Sequence, residues 1–247
     1  MTKGVILVDF DNVFFGTDLS QTTVQYRLEQ FISECLETDL DFESMEIRLY
    51  GGWKSNAGYT QKADILRSFM DRFNSQLFPR IFKKRRVLGN VSVVTSLHSL
   101  DLEWDDTMQE KHGRHLLKVK MDSSRVCSQD PTKCPVHMIA SATRGDAIAC
   151  PIDGCSQIDV SQLIRMEQKM VDSMMTCDIL EYVREPECQI IMVVSDDVDL
   201  HPALALAGNK YASQNHVRLV LLVKNLKNSQ RFATLLNPYN VFISNWS

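Results

Sequence analysis

The sequence lacks any apolar run long enough to span a membrane. It has no internal repeat and no low-complexity tract, which sets aside solenoid and disordered-linker architectures. It has no excess of positive charge, since 27 Lys and Arg stand against 31 Asp and Glu, for a net charge of −4. That excludes a generally basic nucleic-acid coat. It leaves open a nucleic-acid enzyme, because metal-binding carboxylates lower net charge without describing local patches. The N-terminus has no charged region followed by a separate apolar stretch and a small-residue cleavage site. Its first apolar run carries acids and reads as a strand instead of a signal peptide. The expectation is a soluble, cytoplasmic protein with no membrane partner. Cysteine is sparse and odd in number, at seven. Most of these residues crowd into one region, which in a reducing compartment points to metal before disulfides.

What is present suits a globular chain. The 247 residues, 44% of them hydrophobic, suffice for one large domain or two small ones. Short Val- and Ile-rich runs alternate with helix-periodic segments. Strands are expected at 4–9, 45–51, 91–95, 190–195, 217–223 and 240–244, and helices at roughly 20–37, 57–76, 160–183, 200–213 and 228–236. Strands apolar on both faces, separated by helices, predict an α/β fold with a parallel β-sheet flanked by helices. Ligands in such a sheet bind at the carboxyl ends of strands, near the point where strand order reverses. Residues 122–158 break the alternation with four of the seven cysteines, one His and several Pro, Gly, Ser and Asp. They read as a Cys/His-rich insertion between two segments of the main domain, 1–121 and 159–247.

The polar residues within apolar runs carry the chemistry. "VILVDFDNVFF" (5–15) ends in Asp9, Asp11 and Asn12, and "IIMVVSDDVDLHPAL" (190–204) delivers Ser195, Asp196, Asp197 and Asp199. Two acidic strand ends in one parallel sheet bring carboxylates together, where they repel and raise each other's pKa. A hard divalent cation, Mg²⁺ or Mn²⁺, relieves that repulsion and prefers oxygen ligands. "EQKMVDSMMTCDILEYV" (167–183) is helical by period and places Asp172 and Asp178 among apolar residues. At about 100° per residue these two sit about 120° apart. One then reaches the cluster, and the other holds a water, a ligand or a neighbouring helix. A first-turn position for Asp172 would be favoured by the helix dipole. Taken singly, each acid has a plain alternative as a turn or cap residue. Taken together, three acidic elements point to a shared metal site.

These motifs resemble a family. "KMVDSMMTCDIL" (169–180) resembles the NYN-domain pattern K-G-V-D-x-x-L-x-x-D-x-L, "VVSDDVDL" resembles its V-S-G-D-S-D-F, and "VDFDN" resembles its I-D-x-x-N. The resemblance runs through about residues 4–111 and 160–244, in the expected order. It implies a PIN-like fold whose carboxylates bind Mg²⁺ or Mn²⁺ and hydrolyse RNA as an endonuclease, with DNA left open as a substrate. Carried over, Asp9 and Asn12 match the first-strand pair. Lys169, Val171, Asp172 and Asp178 match the helix motif, and Ser195, Asp197 and Asp199 match the last. The implied catalytic residues are Asp9, Asn12, Asp172, Asp197 and Asp199. Asp9, Asp172, Asp197, Asp199 and Asp178 are the implied ligands of the catalytic metal, and Lys169 is a phosphate contact. Asp196 and Met170 stand where the pattern has Gly, and Leu200 where Phe is common.

A second reading takes "VDFDN" as the opening of a haloacid dehalogenase-like phosphatase, with Asp9 as nucleophile and Asp11 as acid. It gives the helix acids no role. A third is a PIN-like fold without catalysis that binds RNA or protein. Elsewhere, Cys134 and His137 in "CPVH" have two residues between them, and Cys150 and Cys155 in "CPIDGC" have four. This suits one structural Zn²⁺, with Cys127 as an alternative ligand. Cys35, Cys177 and Cys188 read as buried thiols. "RIFKKRRVLG" (80–89) is the strongest basic run, and Lys83, Lys84, Arg85 and Arg86 are candidate RNA contacts. Trp53 reads as packing. Oligomeric state is left open between a monomer, a homo-oligomer and part of a larger complex.

Overall fold

A computed structural model describes residues 2–38, 40–55, 58–98, 108–110, 166–168 and 170–246. The chain divides into two compact units: Met1–Trp53, Tyr59–Asp105 and Met170–Ser247 form the first, and Lys54–Gly58 with Asp106–Lys169 the second.

The first unit is α/β, built on a seven-stranded sheet. In chain order its elements are β1 (Lys3–Asp9), α1 (Phe10–Val13), α2 (Gln21–Glu37), β2 (Ser44–Tyr50), α3 (Gln61–Leu77), β5 (Arg80–Phe82), β6 (Arg85–Val93), α4 (Val171–Tyr182), β9 (Cys188–Val194), α5 (His201–Leu206), β10 (Arg218–Val223), α6 (Leu226–Leu236) and β11 (Val241–Asn245). Two short ladders lie outside the sheet: β3 (Lys54–Ser55) with β4 (Gly58–Tyr59), and β7 (Met108–Glu110) with β8 (Met166–Gln168). The sheet order is β11-β10-β9-β1-β2-β6-β5, parallel except for the β5–β6 hairpin. The chain runs outward from β1 through β2 to β6, then returns to β9 on the other side of β1 and runs outward again. Strand order therefore reverses between β1 and β9.

The alternating sides of each strand explain the layers. Ile6 and Val8 of β1 join Ile47, Leu49, Met192 and Val194 against α2 and α3. Val5 and Leu7 join Ile191, Val193, Leu219 and Leu221 against α4, α5 and α6. With both faces covered, the strands must be apolar throughout, which is the pattern read from the sequence. The α2 helix starts where the Ser20 side chain accepts from the Thr23 N–H, and buries Val24, Leu28, Phe31, Ile32 and Cys35 at helical spacing. Leu28 is fully buried, so Leu28→Ala should cost about 2–5 kcal/mol. Thr60 caps α3 in the same way.

Three details differ from expectation. Helix α4 starts at Val171, not near 160, because Met170 has φ of 71° and its left-handed backbone cannot continue a right-handed helix. Residues 166–168 are the strand β8 instead. The basic run forms a β-hairpin, turned by Lys83 and Lys84 at φ of 46° and 68°, so β6 starts at Arg85 and not near 91. Cys35 and Cys188 are buried as expected, but Cys177 is exposed on α4. Among the described residues no helix is long and apolar enough to cross a membrane. The expected zinc ligands Cys127, Cys134, His137, Cys150 and Cys155, the insertion 122–158 that holds them, and Lys169 lie outside the described residues.

Candidate metal centre

Asp9 is the last residue of β1 and is buried. Its backbone is still extended, and it is also the N-cap of α1, so the carboxylate turns back over the first turn of that helix. Oδ1 accepts from the Asn12 N–H at 3.1 Å and Oδ2 from the Ser195 hydroxyl at 2.8 Å. The same Ser195 oxygen accepts from the Asp197 N–H at 3.0 Å, and Asp197 Oδ1 accepts from the Asp199 N–H at 2.9 Å. One short relay thus fixes the ends of β1 and β9 to each other. Asn12 strengthens it, accepting at Oδ1 from the Asp196 N–H at 3.2 Å.

Asp172 stands in the first turn of α4, where the helix dipole favours its charge. Asp9, Asp172 and Asp197 each present a carboxylate oxygen within 4.8 Å of the other two. Asp9 is buried, while the other two are more open to solvent. Burial pushes the Asp9 carboxyl up to about 6, and Asp172 and Asp11 add to the rise. The hydrogen bonds from Ser195 and Asn12 pull the other way without cancelling it. The three acids converge at the carboxyl edge of the sheet, where strand order reverses. A hard divalent cation fits this donor set, which offers only oxygens and carries like charges that a cation neutralises.

The other expected site residues are placed elsewhere. Asp178 is not a member of the group. It is 1% exposed and faces the sheet, where Oδ2 accepts from Arg48 Nη2 at 3.0 Å and from the Tyr50 hydroxyl at 2.5 Å, and Oδ1 from the His98 N–H at 2.8 Å. Burial holds the Tyr50 phenol well above its ordinary range despite the pull of Arg48, so Tyr50 remains a donor. The six-residue offset from Asp172 is the reason for the division: one acid points to the edge and the other under the helix. Asp199 contributes its N–H to the relay, while its carboxylate is not one of the three. Asp196 binds the Lys224 N–H and the Asn228 amide, both at 3.3 Å. Asp11 accepts from the Gly52 N–H at 2.7 Å and pairs with Lys62, so its carboxylate is held as a clasp between α1, the loop after β2 and α3.

The basic hairpin is at the opposite edge. Leu88 pairs with Ser44, and Ser44 with Lys3, six residues before Asp9. At about 3.3 Å per residue the hairpin is at least about 20 Å from Asp9. Arg85 also pairs there with Asp41. Lys83, Lys84, Arg85 and Arg86 therefore do not flank the carboxylates. Two cations that were not singled out in the sequence touch the neighbouring acids instead: Lys62, which pairs with Asp11 and whose Nζ lies 4.9 Å from the Trp53 ring centroid, and Lys224, whose N–H reaches Asp196 and whose Nζ lies 5.7 Å from the Trp246 ring centroid. Lys224 directly follows β10, and such residues after an apolar strand are a readable signal for this edge. Trp53 is fully buried and donates Nε1–H to the Leu49 carbonyl at 3.1 Å.

Comparison of the chain with protein-family profiles, with curated proteins and with solved structures returned no match.

Proposed function

We propose that the chain is a divalent-metal-dependent nuclease that hydrolyses phosphodiester bonds, RNA first among its substrates, on a PIN-like scaffold of the NYN type. The observation that carries this reading is the convergence of Asp9, Asp172 and Asp197 within 4.8 Å at the strand-order switch. Mg²⁺ or Mn²⁺ held by these three would acidify a bound water and neutralise charge on the phosphate. The chain's own part is positional. Ser195 and the Asn12 N–H orient Asp9, the Asp199 N–H orients Asp197, and Asn12 ties the first acidic loop to the second. The phosphatase alternative loses support here, because Asp11, its acid, is engaged by Gly52 and Lys62, while Asp172 is brought to Asp9.

Purified protein should cleave single-stranded RNA or DNA in Mn²⁺ or Mg²⁺, and EDTA should stop it. Asp9→Asn should abolish cleavage while the circular-dichroism spectrum stays unchanged. Metal-dependent cleavage at parental rate by Asp9→Asn would overturn the reading. The structural zinc remains part of this proposal, on the spacing of Cys134, His137, Cys150 and Cys155, with Cys127 as the alternative ligand. Elemental analysis should then find about one zinc per chain. A folded, zinc-free protein would remove it.

A further inference from the structure

Asp196 directly precedes Asp197 and is not itself one of the three converging acids. The loop after β9 that carries both is fixed twice towards β1. The Ser195 hydroxyl donates to Asp9 at 2.8 Å, and the Asp196 N–H donates to Asn12 Oδ1 at 3.2 Å. Towards β10 its backbone is fixed where the Ser195 N–H donates to the Leu222 carbonyl at 3.2 Å. Beyond that point the tie on this side is the Asp196 side chain. Its Oδ2 accepts from the Lys224 N–H and its Oδ1 from the Asn228 side-chain amide, both at 3.3 Å. Asn228 belongs to the first turn of α6, which Asn225 caps. The charge of Asp196 is thus met by donors at the start of a helix, where the dipole favours it. The next N–H along the chain, that of Asp197, donates to the Ser195 hydroxyl oxygen at 3.0 Å. Residue 196 is therefore a junction of the loops after β1, β9 and β10, one step before a carboxylate of the centre. The pattern that this loop resembles has Gly here, which has no side chain to make the tie.

Resting on the metal-dependent reading of the centre, we propose that Asp196 is a positioning residue. Its carboxylate ties the loop after β9 to the start of α6, and so holds Asp197 where it, Asp9 and Asp172 share one divalent cation. A ligand fixed before the cation arrives need not be ordered on binding, and hydrogen-bond partners behind the ligands set metal affinity in this way. The tie acts through its hydrogen bonds and not through the charge of Asp196 on the cation.

The test follows Mn²⁺ binding by loss of the free-ion electron paramagnetic resonance signal, with the Tm of the metal-free protein as folding control. Asp196→Ala should weaken Mn²⁺ binding roughly tenfold. Asp196→Asn should restore most of it, because Asn keeps an oxygen for the Lys224 N–H and the Asn228 amide can turn to accept from the new nitrogen. Asn228→Ala, which leaves the acidic loop untouched, should weaken binding by a smaller factor. Added to Asp196→Ala it should cost nothing further, since the tie is already lost. Parental Mn²⁺ affinity in either single Ala variant overturns the proposal, whether or not the metal-free Tm falls. So does Asp196→Asn binding as weakly as Asp196→Ala, which would mean attraction by charge, and so does a full additional loss in the double variant. If Mn²⁺ binding depends on Asp196 as expected but the parent cleaves no nucleic acid, the nuclease reading falls while the tie stands. If the parent binds no Mn²⁺, both fall.

Discussion

Asp9 is poorly disposed to carry its charge when no cation is present. Its carboxyl is pushed up to about 6, from an ordinary 3.8, first by burial. The folded state therefore binds this proton more tightly than the unfolded chain does. The stabilisation belongs to the protonated form; it is complete below the ordinary carboxyl range and is lost as pH rises through about 6. The shift corresponds to about 3 kcal/mol between the acid and neutral limits. Asp9→Asn removes this dependence and keeps an oxygen acceptor for the Asn12 N–H. Urea titrations in EDTA should show the variant gaining on the parent by about 3 kcal/mol between acid and neutral pH. A constant difference would mean that Asp9 is a simple turn residue. At this scale the sequence was informative about which acids lie beside apolar runs, but not about their partners. Asp178 and Asp172 look alike in "VDSMMTCDIL", and only a buried cation opposite one of them separates their roles. That cation was visible as Arg48, the one basic residue in the run "MEIRLYG".

The buried contacts of Asp178 fasten α4 to β2. Arg48 meets Asp178, Tyr50, the Ser96 carbonyl and Glu46, and through them the helix that presents Asp172 is held over the sheet. Arg48→Met leaves a buried carboxylate without its cation, which should cost about 3–5 kcal/mol. Arg48→Met with Asp178→Leu should recover most of that loss, since neither charge is then stranded. Chemical denaturation of the two variants checks the pair, and a neutral single variant would show that α4 is held by its apolar face alone. A second junction admits no side chain. A Cβ on Gly208, in the π-helical stretch Ala207–Ala212 that continues α5, would lie 2.0 Å from the Tyr239 carbonyl oxygen. Gly208→Ala must separate backbone from backbone and should cost about 3 kcal/mol by overpacking, read as a lower urea midpoint. Most elements were legible because their periodicity is strong: β1, α2, β9 and β10 fall within a residue or two of expectation. The hairpin at Lys83 and Lys84 was not, because two lysines at positive φ are a poor turn signature compared with Asn-Gly. The true start of α4 was not, because nothing about Met170 in the sequence announces a left-handed backbone.

Across the first unit, the fold works as two parallel half-sheets that meet at β1 and β9, and the acids gather where those halves meet. Parallel strands pointing the same way make this unavoidable: residues just past their carboxyl ends share one edge. That is why a meeting of carboxylates could be foreseen from two acidic strand ends. It is also why the basic hairpin, at the start of a strand, could not serve the same site. A cation held by Asp9, Asp172 and Asp197 would join β1, α4 and the loop after β9, so it should stabilise the folded protein as a ligand of that state alone. At a hundred times its Kd, Mn²⁺ should add about 2.7 kcal/mol, which for a chain of this size raises Tm by roughly 5–10 °C. The rise should be smaller below about pH 6, where Asp9 holds its proton and competes with the metal. EDTA should reverse it, and Asp9→Asn should show little of it at any pH. Differential scanning fluorimetry across pH and Mn²⁺ concentration gives all four results. A Tm that ignores Mn²⁺ at pH 8, or that rises equally in Asp9→Asn, would show that the three carboxylates meet without holding a metal.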